Sequence, residues 1–160
     1  MATEINRVTS TVTVSCMNEI MPVIKECLQK GQSVRFSPRG ISMLPMLRQG
    51  IDTVTLSPIT GDLKKYDIAL YVRANGKHVL HRVVKVEDTY TCCGDNQYVY
   101  EKGIFLDQFV GVVTSFTRSE KEYSVNNTGY RLYYRIWHYS RFFRRVIRAV
   151  FRRIKNLFHK

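Results

Sequence analysis

Six short runs of alternating apolar and polar residues, separated by turn signals, limit the possible folds of this chain more than any other feature. The runs span residues 33–36, 52–58, 67–74, 77–87, 89–93 and 108–118. They are rich in β-branched and aromatic residues, which favour strands. Asn75 and Gly76 separate two of the runs, a strong hairpin signal. In a chain of 160 residues, long enough for one domain with a core, this pattern predicts a small, mainly β fold.

One helix is predicted before the first strand. Residues 17–31 carry apolar side chains at helical spacing and end on Gly31, a common helix stop. Residues 1–14 are polar and rich in Thr and Val, which predicts a weak strand or a loose end. The sequence NNTG at 126–129 marks a boundary. We therefore expect three segments: an N-terminal segment with a helix (1–32), a β-rich domain (33–125) and a tail (126–160).

The positive charge of the chain is concentrated in that tail. The formal net charge is +12, and residues 130–160 contain ten Lys or Arg and no Asp or Glu, which leaves 15 basic against 13 acidic residues in 1–129. Basic residues recur every three or four positions with apolar residues on the opposite side. The tail is therefore expected to form one basic amphipathic helix.

An amphipathic helix of this kind suits the interface of an anionic membrane, and it carries too much charge to cross the bilayer. The side chains expected to bind the membrane are Arg141, Arg144, Arg145, Arg148, Arg152, Arg153, Trp137, Phe142 and Phe151. A partner protein or a nucleic acid could bind the same helix, since phosphates attract the same charges. The broad apolar face favours lipid or protein over nucleic acid.

Targeting and cofactor signals are scarce. The first 20 residues contain no basic region followed by an apolar run, so no secretory signal is predicted, and no stretch reaches the ~18 apolar residues of a membrane span. We expect a cytoplasmic protein, peripheral to the inner face of the membrane.

The four cysteines (Cys16, Cys27, Cys92 and Cys93) lack metal-site spacing, and we expect no metal and no cofactor.

A serine and a histidine are the candidate catalytic residues. Ser42 lies in RGISMLPMLRQG (39–50), between a glycine-containing turn and two methionines. His81 lies in an alternating strand, on the same face as Val79 and Val83. A polar side chain on an apolar face needs either a hydrogen-bond partner or a function. Taken alone, such a histidine is more often a core residue bonded to a backbone carbonyl.

Five motifs in order (GISMLPMLRQG, DIALYV, HRVVKV, GDN and VGVV) resemble the signal peptidase family over residues 33–117. That family shares a β-rich fold with the self-cleaving LexA-type repressors. The resemblance implies that Ser42 is a nucleophile and that His81, at a position filled by Lys or His within the family, is its general base. A neutral imidazole can take the hydroxyl proton and later give it to the leaving amine. The residues expected to shape the substrate groove are Met43, Pro45 and Leu47.

Two residues are candidates for the acid that would orient His81. Asp95 is the acid of GDN, and Glu101 stands where the Ser–His branch of the family has acidic residues. Two features depart from the family pattern. The serine loop is one residue longer before Asp52, and Gly40 replaces a serine whose hydroxyl helps many members to hold the oxyanion. Because loss of one such donor typically costs ~10²–10³ in rate, a slow or narrowly tuned enzyme is expected.

The resemblance implies a serine endopeptidase that cleaves an extended precursor peptide, added as a strand beside the site, at the membrane surface. A non-catalytic module that holds such a peptide is one alternative. A regulator related to the LexA-type repressors is another, although it needs a DNA-binding helix pair and residues 1–32 predict one helix.

Overall fold

A computed structural model describes residues 17–158, with side chains described for residues 20–150 except Arg148. The strand or loose end expected in residues 1–14 lies outside the described residues. The chain divides between Asn126 and Asn127 into two compact units. The first contains the N-terminal helix together with every described strand, and the second contains the tail helices.

The mainly β prediction is confirmed. Helix α1 (Met17–Gln29) precedes eight strands in the described residues. These are β1 (Val34–Phe36), β2 (Val54–Ser57), β3 (Ile68–Val72), β4 (His78–Val86), β5 (Tyr90–Cys93), β6 (Glu101–Ile104), β7 (Phe109–Arg118) and β8 (Lys121–Ser124). Every one of the six alternating runs contains a strand. Strands β6 and β8 were not predicted, because both are short and mostly polar.

The described strands form one antiparallel sheet in the order β1-β2-β7-β3-β4-β5-β6, with β8 beside the second half of β7. The β3–β4 hairpin pairs Ala69 with His81 and Val72 with His78. Because side chains alternate along a strand, this register directs His81 to the same face as Tyr71. That face carries a buried cluster formed by Leu63, Ala69, Tyr71, Val83, Tyr90, Cys92, Ile104 and Phe109.

The prediction of a single tail helix is wrong. The second unit contains two helices, α2 (Thr128–Tyr139) and α3 (Arg141–Phe158), separated at Ser140. The Ser140 hydroxyl donates a hydrogen bond to the Trp137 carbonyl oxygen at 3.1 Å, and the Arg144 guanidinium donates to the same oxygen at 2.6 Å. These side-chain donors satisfy a backbone carbonyl at the end of α2, so the break between the helices costs little free energy. A search of the described residues finds no helix with the length and hydropathy of a membrane span.

Candidate active site

The candidate nucleophile lies in a tight loop between β1 and β2. Residues 42–46 form consecutive turns. Arg48 closes the loop, because its backbone N–H and guanidinium donate hydrogen bonds to the carboxylate of Asp52 at 2.7–3.0 Å. Burial alone would raise the pKa of Asp52, but the hydrogen bonds from Arg48 hold it below its usual value. Gly40 has a φ of 94°, a conformation that favours glycine.

The turn at 94–96 packs directly against the backbone of Ser42. A Cβ atom on Gly94 would lie 2.6 Å from the Ser42 carbonyl oxygen, so a side chain there would displace the loop. The backbone N–H of Asn96 donates to that carbonyl oxygen at 2.8 Å, and its side-chain amide donates to the carbonyl of Ile41 at 3.1 Å. The GDN turn therefore holds the position of Ser42.

The same turn is joined to β4 by a buried ion pair. Arg82, the neighbour of His81, donates from Nε to Asp95 Oδ1 at 2.8 Å and from Nη2 to Asp95 Oδ2 at 2.6 Å. The two residues are 1% and 3% exposed. Arg82 Nη1 also donates to the Tyr66 carbonyl at 3.0 Å. Through this pair, the turn that contacts Ser42 is fixed to the strand that carries His81.

Glu101 is the acid that contacts His81. The imidazole is 1% exposed, and its Nδ1 lies 3.2 Å from Glu101 Oε1 and 3.2 Å from Tyr71 Oη. Arg73 binds the same carboxylate through two nitrogens, with Nε at 2.7 Å from Glu101 Oε2. Of the two acids left open by the sequence, Glu101 therefore contacts the histidine, and Asp95 contacts Arg82.

Electrostatics favour a neutral imidazole beside an ionised carboxylate. Burial lowers the pKa of His81, and the nearby Glu101 opposes that shift without cancelling it. Burial alone would raise the pKa of Glu101, but hydrogen bonds from Arg73 and Tyr71 bring it below its usual value. A neutral imidazole that donates its Nδ1–H to Glu101 keeps a lone pair on Nε2. That Nε2 atom is buried and has no hydrogen-bond partner in the described part of the chain.

A small cavity lies beside Ser42. Its volume is about 110 Å³, and its lining includes Met43 and Leu47 together with His78, Val79 and Leu80 of β4. Two of the three predicted groove residues therefore border Ser42, whereas Pro45 is absent from this lining. A second cavity of about 620 Å³ lies between α1 and the ends of β3 and β7, and its lining does not include Ser42.

The structure does not join Ser42 to His81 by a hydrogen bond, since His81 Nε2 has no such partner among the described residues. Sequence reasoning also missed three nearby side chains. Tyr71 and Arg73 reach the His81–Glu101 pair, and His78 shares the small cavity with Ser42. The described residues contain no group of three or more His, Cys, Asp or Glu placed to hold a metal ion.

Comparison of the chain with protein-family models, with curated proteins and with solved structures finds no match in any of the three. A functional assignment therefore depends on the geometry of the site and on the resemblance of the five sequence motifs.

Proposed function

We propose that this chain is a serine endopeptidase of the signal-peptidase type, with Ser42 as nucleophile and His81 as general base. The observation that carries the proposal is the state of His81: its Nδ1 faces the Glu101 carboxylate, and its buried Nε2 has no partner in the described residues. A buried polar atom without a partner costs about 1–3 kcal/mol, and a catalytic role is one of the explanations for such an atom in a native structure.

The proposed chemistry assigns a role to each of these groups. His81 Nε2 takes the proton of Ser42 Oγ as the oxygen attacks the scissile carbonyl carbon, and Glu101 stabilises the imidazolium that forms. The imidazolium then protonates the leaving amine, and water hydrolyses the acyl-enzyme in a second cycle. The N–H of Ser42 is the oxyanion donor proposed here, since Gly40 has no hydroxyl to add. Catalytic hydrogen bonds are often long or poorly aligned in unliganded enzymes and tighten when substrate binds.

An open strand edge supports binding of an extended peptide. Strand β4 pairs with β3 from His78 to Arg82, but it pairs with β5 only from Arg82 onward. Residues 78–81 therefore have no second neighbouring strand in the described residues. A substrate peptide can add there by backbone hydrogen bonds. The adjacent cavity of about 110 Å³ suits a small substrate side chain next to Ser42.

A module that holds a peptide without cleaving it is the second candidate function. The observation that favours it is the missing hydrogen bond between Ser42 and His81. The open edge of β4 and the small cavity would serve such a module equally well, so only reactivity at Ser42 separates the two functions.

Labelling by a fluorophosphonate probe, mapped by mass spectrometry, tests the proposed peptidase. We expect labelling on Ser42, complete loss of labelling in Ser42→Ala, and retention in Ser37→Ala. Ser37 is a matched control, because its hydroxyl donates to the Asp52 carbonyl at 2.9 Å in the same loop. A folded wild type that binds extended peptides but stays unlabelled would overturn the peptidase and support the holding module.

The pH dependence of acylation provides a second test. The rate should rise with pH through the pKa of His81, which burial places below the usual value. Glu101 raises this pKa and Arg73 lowers it. We therefore expect Glu101→Gln to move the midpoint to lower pH and Arg73→Met to move it to higher pH. Glu101→Gln should also lower the plateau rate by about 10–100-fold, because Nδ1–H loses its acceptor.

Both variants are compared with Glu87→Gln, an exposed carboxylate on the far end of the β4–β5 hairpin. Shifts of the same sign in Glu101→Gln and Arg73→Met would contradict the assignment of His81 as the titrating base.

A further inference from the structure

The second unit carries charge that nothing within it neutralises. Residues 127–160 contain ten Lys or Arg and no Asp or Glu. Ion pairs with an acidic side chain of the same unit are therefore impossible. An excess of this size attracts an anionic partner.

The same unit exposes an unusually large amount of apolar surface. Between residues 132 and 150, eight large side chains are 46% to 70% exposed. They are Leu132, Ile136, Tyr139, Phe142, Phe143, Val146, Ile147 and Val150. On α3 they recur at spacings of three and four, so they form one face, opposite the arginines. Contiguous apolar surface of this kind on a soluble chain marks an interaction site.

The bend between α2 and α3 is held by Trp137 and Arg144. The Arg144 guanidinium stacks 3.5 Å from the centre of the Trp137 ring, donates to the Trp137 carbonyl oxygen at 2.6 Å and donates to Ser140 Oγ at 3.3 Å. Arg141 is buried. Three residues expected to bind a membrane therefore have intramolecular contacts, whereas the side chains of Arg148, Phe151, Arg152 and Arg153 lie outside the described residues.

We propose that α2 and α3 lie in the interface of an anionic bilayer, with the apolar face of α3 in the acyl boundary and the exposed arginines Arg131, Arg135 and Arg145 at lipid phosphates. The presence of both an apolar face and a basic face favours an anionic bilayer over a nucleic acid. A nucleic acid would neutralise the charge but leave Phe142, Phe143 and Ile147 in water, whereas an anionic leaflet accommodates both faces. The bend gives the unit two helical segments whose exposed apolar residues flank Ser140.

Vesicle binding by the full chain tests this inference without requiring peptidase activity. Co-sedimentation is measured with phosphatidylcholine vesicles that contain roughly 30 mol% phosphatidylglycerol, a typical anionic surface, and with pure phosphatidylcholine vesicles. The fluorescence of the single Trp, Trp137, gives an independent reading. We expect at least about tenfold stronger partitioning to the anionic vesicles, weakened by added salt because the attraction is screened.

The variant Phe142→Ser/Phe143→Ser separates apolar insertion from charge attraction alone. We expect it to lower partitioning by about tenfold or more while keeping all arginines. Phe105→Ser is the matched control, because Phe105 is similarly exposed but lies in the first unit. Circular dichroism confirms that each variant is folded.

The inference would be overturned by equal partitioning to both vesicle types, by unchanged partitioning of the double variant, or by preferential binding to a DNA duplex that anionic vesicles fail to displace. A stable dimer in solution that protects the α3 face from vesicles would likewise overturn it in favour of a second copy of the chain.

Discussion

Replacing His81 with glutamine is expected to slow acylation of Ser42 by the fluorophosphonate probe by about 10²–10⁴-fold, the usual contribution of a general base. Glutamine can still donate a hydrogen bond, but it cannot take the proton of the serine hydroxyl. The variant keeps a polar side chain of similar length beside Glu101 and Tyr71, which limits damage to the fold. The rate is measured at saturating probe, after circular dichroism has shown that the variant is folded.

His78 is the competing base, and His78→Gln is the variant to compare. Its ring lines the cavity beside Ser42, and both ring nitrogens are buried without hydrogen-bond partners in the described residues. Burial and the nearby Lys25 lower the pKa of His78, but no carboxylate among the described residues bonds to its ring. We expect His78→Gln to slow acylation by less than about tenfold. A larger loss in His78→Gln than in His81→Gln would assign the base to His78.

The β-rich fold could be predicted because its signal is local. The alternation in β2 and β7 places one apolar face against the core, and the apolar run of β3 is buried on both faces, so each of these strands is visible in its own residues. The two missed strands lack that signal. Strand β6 contains Glu101, Lys102 and Gly103, and β8 is mostly exposed. Both form because a neighbouring strand offers an edge to pair with, β5 for β6 and β7 for β8, which is a tertiary effect that overrides weak propensity.

The site could be predicted only where a motif marks a residue. Ser42 and His81 stand in recognisable motifs, but Arg73 and Glu101 are 28 residues apart and meet only through the sheet. The choice between Asp95 and Glu101 likewise depended on register. Arg82 and His81 point to opposite faces of β4, so the two acids reach different neighbours. No spacing rule along the sequence contains that information.

The break in the tail has a related explanation. Ser140 has φ −71° and ψ −3°, so the backbone stays in the right-handed region and the three-to-four spacing of basic residues continues through it. The periodic pattern therefore resembles one long helix. Only the side-chain hydrogen bonds of Ser140 and Arg144 to the Trp137 carbonyl distinguish two helices, and those depend on the folded geometry.

Breaking the ion pair between Arg82 and Asp95 is expected to have the largest effect on stability. Removing one partner leaves the other charge buried, which typically costs about 3–5 kcal/mol. We therefore expect Asp95→Leu and Arg82→Met each to lower the free energy of unfolding by about that amount, measured by urea denaturation. The exposed pair Lys85–Glu87, near the far end of the same hairpin, is the control, and Glu87→Leu should change stability little.

The double variant Arg82→Met/Asp95→Leu distinguishes a buried charge penalty from general loss of packing. Since it removes both charges, we expect its loss of unfolding free energy to be smaller than the sum of the two single losses by several kcal/mol. It should nevertheless stay poorly acylated, because Gly94 and Asn96 position Ser42 only while the turn is anchored to β4. Additive losses in the double variant would show that packing, rather than charge, holds the turn. Full acylation in a stable double variant would show instead that Ser42 keeps its position without the ion pair.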